Sequence, residues 1–290
     1  MRTRYWKRST TPAVWRLACF RVAGRPSLAG VLVRGVSVDP PAAERGAWPY
    51  TVPCVAQLAE SGLAFERPVT FLVGENGSGK STLVEGIAEA YGLHVKGGRA
   101  GRKYGDLGPS TPLGQRLRLD YTVEGERQVS GNRKKHKGYF LRAETAFGFM
   151  NFVSGLGLPG YWDADTSVLS HGEGFLRVFE TMFAEPGLYL MDEPESALSF
   201  TSCLSLVRLI HDLGASGGQV ICATHSPILA SVPGADIVEV SDAGFERTAW
   251  DDLQLVDRWR RYLGNPAAYL RHLIDAADDA DADDDHEESV

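Results

Sequence analysis

The chain has only four cysteines, Cys19, Cys54, Cys203 and Cys222, and no two of them stand in C-x-x-C spacing. That scarcity argues against a disulfide framework and a cysteine-built zinc site, and it suits a reducing, cytoplasmic setting. No run approaches the roughly eighteen uninterrupted apolar residues of a membrane-spanning helix, so an integral membrane segment is not expected. A secretion signal is not expected either, because Arg16 and Arg21 interrupt the stretch where its apolar segment would lie. No internal repeat is visible, and the 90 residues between Lys80 and Ser170 read as strands and loops, so long coiled-coil arms are not expected. Acid is nearly absent from residues 1–46, where nine Arg/Lys face only Asp39 and Glu44. Lys and Arg are absent from the other end, where Asp and Glu dominate from Asp275 to Glu288.

What remains is ordinary for a globular protein: 290 residues, 43% apolar, 23% charged, net charge −7. Residues 1–46 read as a basic extension, partly disordered, more simply sequence upstream of the true domain start than an organelle-targeting leader. Residues 47–265 read as the folded domain, 266–276 as a terminal helix and 277–290 as an acidic disordered tail, a solvated block of like charge.

Gly74-Glu75-Asn76-Gly77-Ser78-Gly79-Lys80-Ser81-Thr82 has the pattern G-x-x-x-x-G-K-S. The apolar run Val69–Val73 before it reads as a buried strand, and Leu83, Ile87 and Ala90 after it read as a helix face. Strand, glycine-rich turn and helix are the context of a phosphate-binding loop. Backbone N–H groups and the helix N-terminus attract phosphates there. Lys80 is expected to reach the β- and γ-phosphates of ATP, and Ser81 to offer its hydroxyl to Mg²⁺.

Such a loop needs an acidic partner at the end of a neighbouring strand. Leu188-Tyr189-Leu190-Met191-Asp192-Glu193 supplies it, with Asp192 expected to hold Mg²⁺ and Glu193 to polarise the attacking water. Ala223-Thr224-His225-Ser226-Pro227 follows the next apolar strand, and His225 is expected to reach the γ-phosphate.

A fourth motif, Leu169-Ser170-His171-Gly172-Glu173-Gly174, places Ser170 22 residues before Asp192 and opens a helical pattern. It resembles the Leu-Ser-Gly-Gly-Gln signature of ABC-type ATPases, with His171 and Glu173 in place of Gly and Gln. Together with the run Gly187 to Ser199 and the Ala-Thr-His-Ser-Pro turn, the chain most resembles the small bacterial group labelled AAA family ATPases. That group is ABC-like and related to chromosome-maintenance and break-repair ATPases. The resemblance covers roughly residues 47–265.

It implies an α/β fold with an ABC-ATPase-like P-loop core, a mostly parallel sheet flanked by helices plus an antiparallel β portion. It also implies ATP hydrolysis in a homodimer, in which Ser170, Gly172 and Glu173 of one chain cap the nucleotide on the other. Glu144 is the positional candidate for the metal-sensing glutamine, with Arg142 close by. Leu198-Ser199 departs from the usual Leu-Asp of the dimer loop. The aromatic that stacks on adenine should lie upstream; Tyr50 is a candidate, and a packed strand aromatic is the plainer reading of it.

Only 26 residues separate Glu144 from Ser170, little room for the helical subdomain that grips a membrane partner. A nucleotide-gated clamp or switch is therefore favoured over a transporter's energy-coupling subunit, with a slow-turnover regulator as a third reading. A nucleic-acid or protein partner is open. Arg116–Val123 and Tyr139–Arg142 read as antiparallel partners around the basic run Gly131–Gly138, a solvated hairpin turn or else a phosphate-contacting patch. No aromatic interleaves with its cations, which weighs against base stacking.

Overall fold

The computed structural model describes residues 29–39, 44–95, 97–99, 110–130, 137–142, 179 and 185–271. Ser170, Gly172, Glu173 and Glu144 lie outside these residues, as do residues 131–136 of the basic run and the acidic tail.

The described residues form two sheets. The smaller is antiparallel, with order β2-β1-β5: Leu63–Ala64, Val33–Val38 and Leu117–Tyr121. The larger has seven strands in the order β10-β9-β3-β8-β7-β6-β4. These are Gly244–Arg247, Asp236–Ser241, Val69–Val73, Gln219–Thr224, Leu188–Asp192, Gly138–Arg142 and Gly98–Arg99. The five central strands run parallel, and antiparallel β10 and β4 close the two edges.

The apolar runs are continuous because both faces of this sheet are covered. Leu188, Leu190, Ile221 and Ala223 pack on one side with helices α1 (Pro53–Ser61) and α2 (Lys80–Tyr91) and with the antiparallel sheet. Tyr189, Met191, Val220 and Cys222 face the opposite layer, which includes the helix α4 (Phe200–Ala215) residues Leu206 and Ile210. A further helix, α5 (Gln254–Gly264), follows the β9–β10 hairpin. The short helix α3 (Val123–Val129), capped by the Thr122 side chain on the Gly125 N–H, was not foreseen.

Two expectations need correcting. β5 and β6 are not partners: β5 pairs with β1, and β6 lies parallel to β7 in the other sheet. Their burial explains the separation. Tyr139, Phe140 and Leu141 are all buried, as a central parallel strand requires, whereas β5 alternates and leaves one face partly open. The basic run is therefore not the turn of a β5–β6 hairpin. The acid-bearing strand β7 is also not adjacent to the P-loop strand β3, because β8 is inserted between them.

Gln219 ties the two sheets together. Its side chain is fully buried, accepts the Leu32 and Val33 N–H groups at 2.9 and 2.8 Å, and donates to the Val33 carbonyl at 2.7 Å. Gln219→Ala orphans three buried backbone groups at once. At about 1 kcal/mol or more apiece, the loss is expected to reach about 3 kcal/mol. A lower urea midpoint with an unchanged m-value would record it.

Candidate active site

The P-loop turns between β3 and α2 in a geometry that only glycine tolerates at two points. Gly79 has φ 99° and would drive a Cβ to 2.5 Å from Cys54 Sγ. A Cβ on Gly74 would meet the Val240 carbonyl oxygen at 2.1 Å. Both glycines hold the loop close against β9 and α1, so that α2 starts at Lys80 directly below it.

Lys80 is 3% exposed, and its Nζ donates to the Glu75 carbonyl at 2.7 Å. Burial pushes its pKa below the usual lysine range, against the opposing pull of Glu193, Asp192 and Glu195. Ser81 Oγ donates to Asp192 Oδ1 at 2.9 Å, joining residues 111 positions apart in the chain. Asp192 is 5% exposed, and Arg142 Nε lies 3.8 Å from its second oxygen while Arg142 Nη1 pairs with Glu85 at 2.7 Å.

Glu193 has φ 49°, the one non-glycine left-handed residue among those described. Its N–H donates to the Ala223 carbonyl at 2.9 Å, and its carbonyl accepts from Ser196 N at 3.1 Å. His225 Nδ1 lies 3.6 Å from Glu193 Oε1. The left-handed kink turns the chain sharply at the end of β7, beside the end of β8. A strained backbone of this kind costs of order 1–3 kcal/mol, and it recurs at functional sites.

A cleft of about 540 Å³ opens over these groups, lined by Trp48, Val52, Asn76, Gly77, Gly79, Lys80, Ser81, Thr82, Arg142, Asp192, Glu193 and Ser196. Its size suits a nucleotide. Gly74, Glu75 and Ser78 line the opposite side of the loop, where Glu75 forms an ion pair with Arg258 of α5. Hydroxyl and carboxylate oxygens suit a hard cation, and Ser81 with Asp192 provides one of each. Among the described residues no group of three or more His, Cys, Asp or Glu could cage a metal on its own. A Mg²⁺ carried in on phosphates fits that donor set.

The predicted residues Gly74–Thr82, Asp192, Glu193 and His225 thus converge at the C-terminal ends of β3, β7 and β8. Tyr50 does not join them. It is 5% exposed and packs in the core, and burial raises its pKa. Trp48, 61% exposed on the cleft wall, was overlooked although it lies only two positions earlier. Ser199 caps α4 by accepting the Ser202 N–H at 3.2 Å, a local role that serine fills as well as aspartate does.

Two family models described as AAA domains match the chain. One covers residues 57–142; the other covers 167–231, and its description also names the AbiEii toxin and a Type IV TA system. The ATP-dependent permease PDR12 of Saccharomyces cerevisiae is 24% identical over 260 residues, and the chain spans 17% of that protein. The chain spans 25% of the ABC transporter G family member STR2 of Medicago truncatula. The cytochrome c biogenesis ATP-binding export protein CcmA of Rhodopseudomonas palustris is 30% identical over 179 residues, covering 58% of this chain and 84% of CcmA. Among solved structures, cbiO1 of Clostridium perfringens aligns over 74% of this chain and 90% of its own, at 18% identity and TM-score 0.42. The SMC head domain from Thermotoga maritima aligns over 65% and 92%, at 20% identity and TM-score 0.40. With a P-loop strand, an Asp-Glu strand and a histidine strand side by side, and with CcmA matched over most of its length, the chain belongs to the ABC-type P-loop ATPases.

Proposed function

We propose that the chain is a nucleotide-gated ATPase whose two copies close around ATP and part after hydrolysis. The observation that carries this reading is the 2.9 Å Ser81–Asp192 hydrogen bond beneath the P-loop. It brings the two side chains proposed to hold the metal together. Lys80 exchanges the Glu75 carbonyl for the β- and γ-phosphates, and Ser81 and Asp192 hold Mg²⁺. That ion, when bound, neutralises charge on the phosphate oxygens. Glu193 accepts the proton of the attacking water, and His225 orients toward the γ-phosphate.

Ser170, Gly172 and Glu173 of the second copy complete the site, and Glu144 senses the metal. The chain acts in the cytoplasm on a nucleic-acid or protein cargo. Purified protein is expected to hydrolyse ATP and to elute as a dimer only with nucleotide. Absence of nucleotide binding would sink the proposal. Coupling to a permease is the second reading, favoured by relatives such as CcmA and the zinc import ATP-binding protein ZnuC of Cereibacter sphaeroides. Co-purification with a membrane protein would select it.

Trp48 is the proposed stacking partner of the adenine base. Its exposed ring beside Gly77 and Gly79 loses contact area in Trp48→Ala but keeps a π-face in Trp48→Phe. Stacking is worth about 1–3 kcal/mol per base, so the alanine variant is expected to bind ATP roughly tenfold more weakly. The phenylalanine variant should stay near wild type. Titration calorimetry showing equal affinity for all three would remove Trp48 from the site.

A further inference from the structure

Glu195 sits just past Asp192 in the short 3₁₀ turn Pro194–Ala197 and has no part in the mechanism above. It is 8% exposed. Oε1 accepts the Thr224 hydroxyl and, at 2.9 Å, the His225 backbone N–H. The Ser226 N–H donates to Thr224 Oγ1 at 3.0 Å, so the carboxylate organises the whole turn that presents His225. Oε2 is buried and makes no hydrogen bond among the described residues. Burying a charge with one oxygen unsatisfied is costly, and a neutral amide would make the same two bonds without that cost. The charge therefore needs a reason beyond the turn.

The imidazole of His225 provides one. Its Nδ1 lies 3.6 Å from Glu195 Oε1 and 3.6 Å from Glu193 Oε1, between two carboxylates. An ionised carboxylate can only accept. A bare Nδ1 lone pair would repel both oxygens, whereas an Nδ1–H is drawn to both. At these separations the attraction is electrostatic rather than a formed hydrogen bond. The Glu195 charge is also felt by the Lys80 ammonium and by the thiols of Cys203 and Cys222, which burial keeps protonated and which do not compensate it.

We infer that Glu195 is a positioning residue that keeps the Nδ1 of His225 protonated and the ring aligned on Glu193. Nε2 is then left as the ring atom that meets substrate. The kinetic part of this inference rests on the ATPase reading; the tautomer part does not.

Glu195→Gln separates charge from scaffold, since the amide oxygen still accepts from Thr224 and His225. Its kcat is expected to fall about 10–100-fold with KM for ATP unchanged within about twofold. In a His225→Ala background the same substitution should cost nothing further, because both changes act through one ring. A wild-type kcat in Glu195→Gln, or an undiminished loss in the His225→Ala background, overturns the inference. Nitrogen-15 NMR of the nucleotide-free protein reads the tautomer directly, with the signal assigned by its loss in His225→Gln. The wild type is expected to carry the Nδ1 proton and Glu195→Gln to shift toward Nε2–H. A wild-type ring protonated only at Nε2 overturns the inference even if the chain proves unable to hydrolyse ATP.

Discussion

Lys80→Met is expected to lower the affinity for ATP by about 100- to 1000-fold while leaving the nucleotide-free melting temperature unchanged or higher. The first effect follows from charge. A buried ammonium makes charge-assisted hydrogen bonds worth about 1.5–3 kcal/mol each, and two to the phosphates at the lower end, about 1.5–2 kcal/mol apiece, account for the range. The second follows from the sign of the pKa shift. Burial depresses the folded-state pKa of Lys80 more than Asp192, Glu193 and Glu195 raise it. The native chain thus binds this proton less tightly than the unfolded chain, and carrying the charge costs stability at neutral pH. Methionine keeps the stem and drops the charge. Calorimetry with ATP and a thermal melt without it measure the two effects. Retained affinity would remove Lys80 from the phosphates, and a large drop in melting temperature would show its charge to be structural.

Glu193→Gln is expected to lower kcat about 100- to 10,000-fold, the span typical of a lost general base, with ATP binding intact. Because release is proposed to follow hydrolysis, this variant should accumulate as an ATP-dependent dimer on a sizing column. The backbone adds a control. Glu193 holds φ 49°, and glycine adopts that conformation without penalty. Glu193→Gly should therefore match Glu193→Gln in lost turnover without losing stability. Wild-type turnover in either variant would exclude Glu193 as the base. A monomer at saturating ATP in Glu193→Gln would exclude the nucleotide-gated clamp.

The site was legible wherever its parts are local. Val69–Val73, Leu188–Met191 and Val220–Ala223 are unbroken apolar runs, and each is followed at once by a polar motif, so strand ends and candidate residues came together. What the pattern could not supply was order across the sheet. Nothing near Leu188 says that β8 separates it from β3, because strand neighbours are chosen by packing on both faces rather than by local preference. The same holds for Gln219, whose partners lie 186 and 187 residues away, and for Trp48, which a stretch rich in proline and glycine disguised as loop. Glu195 was in plain view as the third acid of Asp-Glu-Pro-Glu. Its importance came only from finding it buried beneath His225.

β8 carries Gln219 at its first residue and hands the chain to His225 directly after its last. At about 3.3 Å per residue it is a rod roughly 20 Å long with no joint along it. One end is pinned to the antiparallel sheet and the other steers the imidazole. A shift of the pinned end would be carried along β8 to the turn that presents His225.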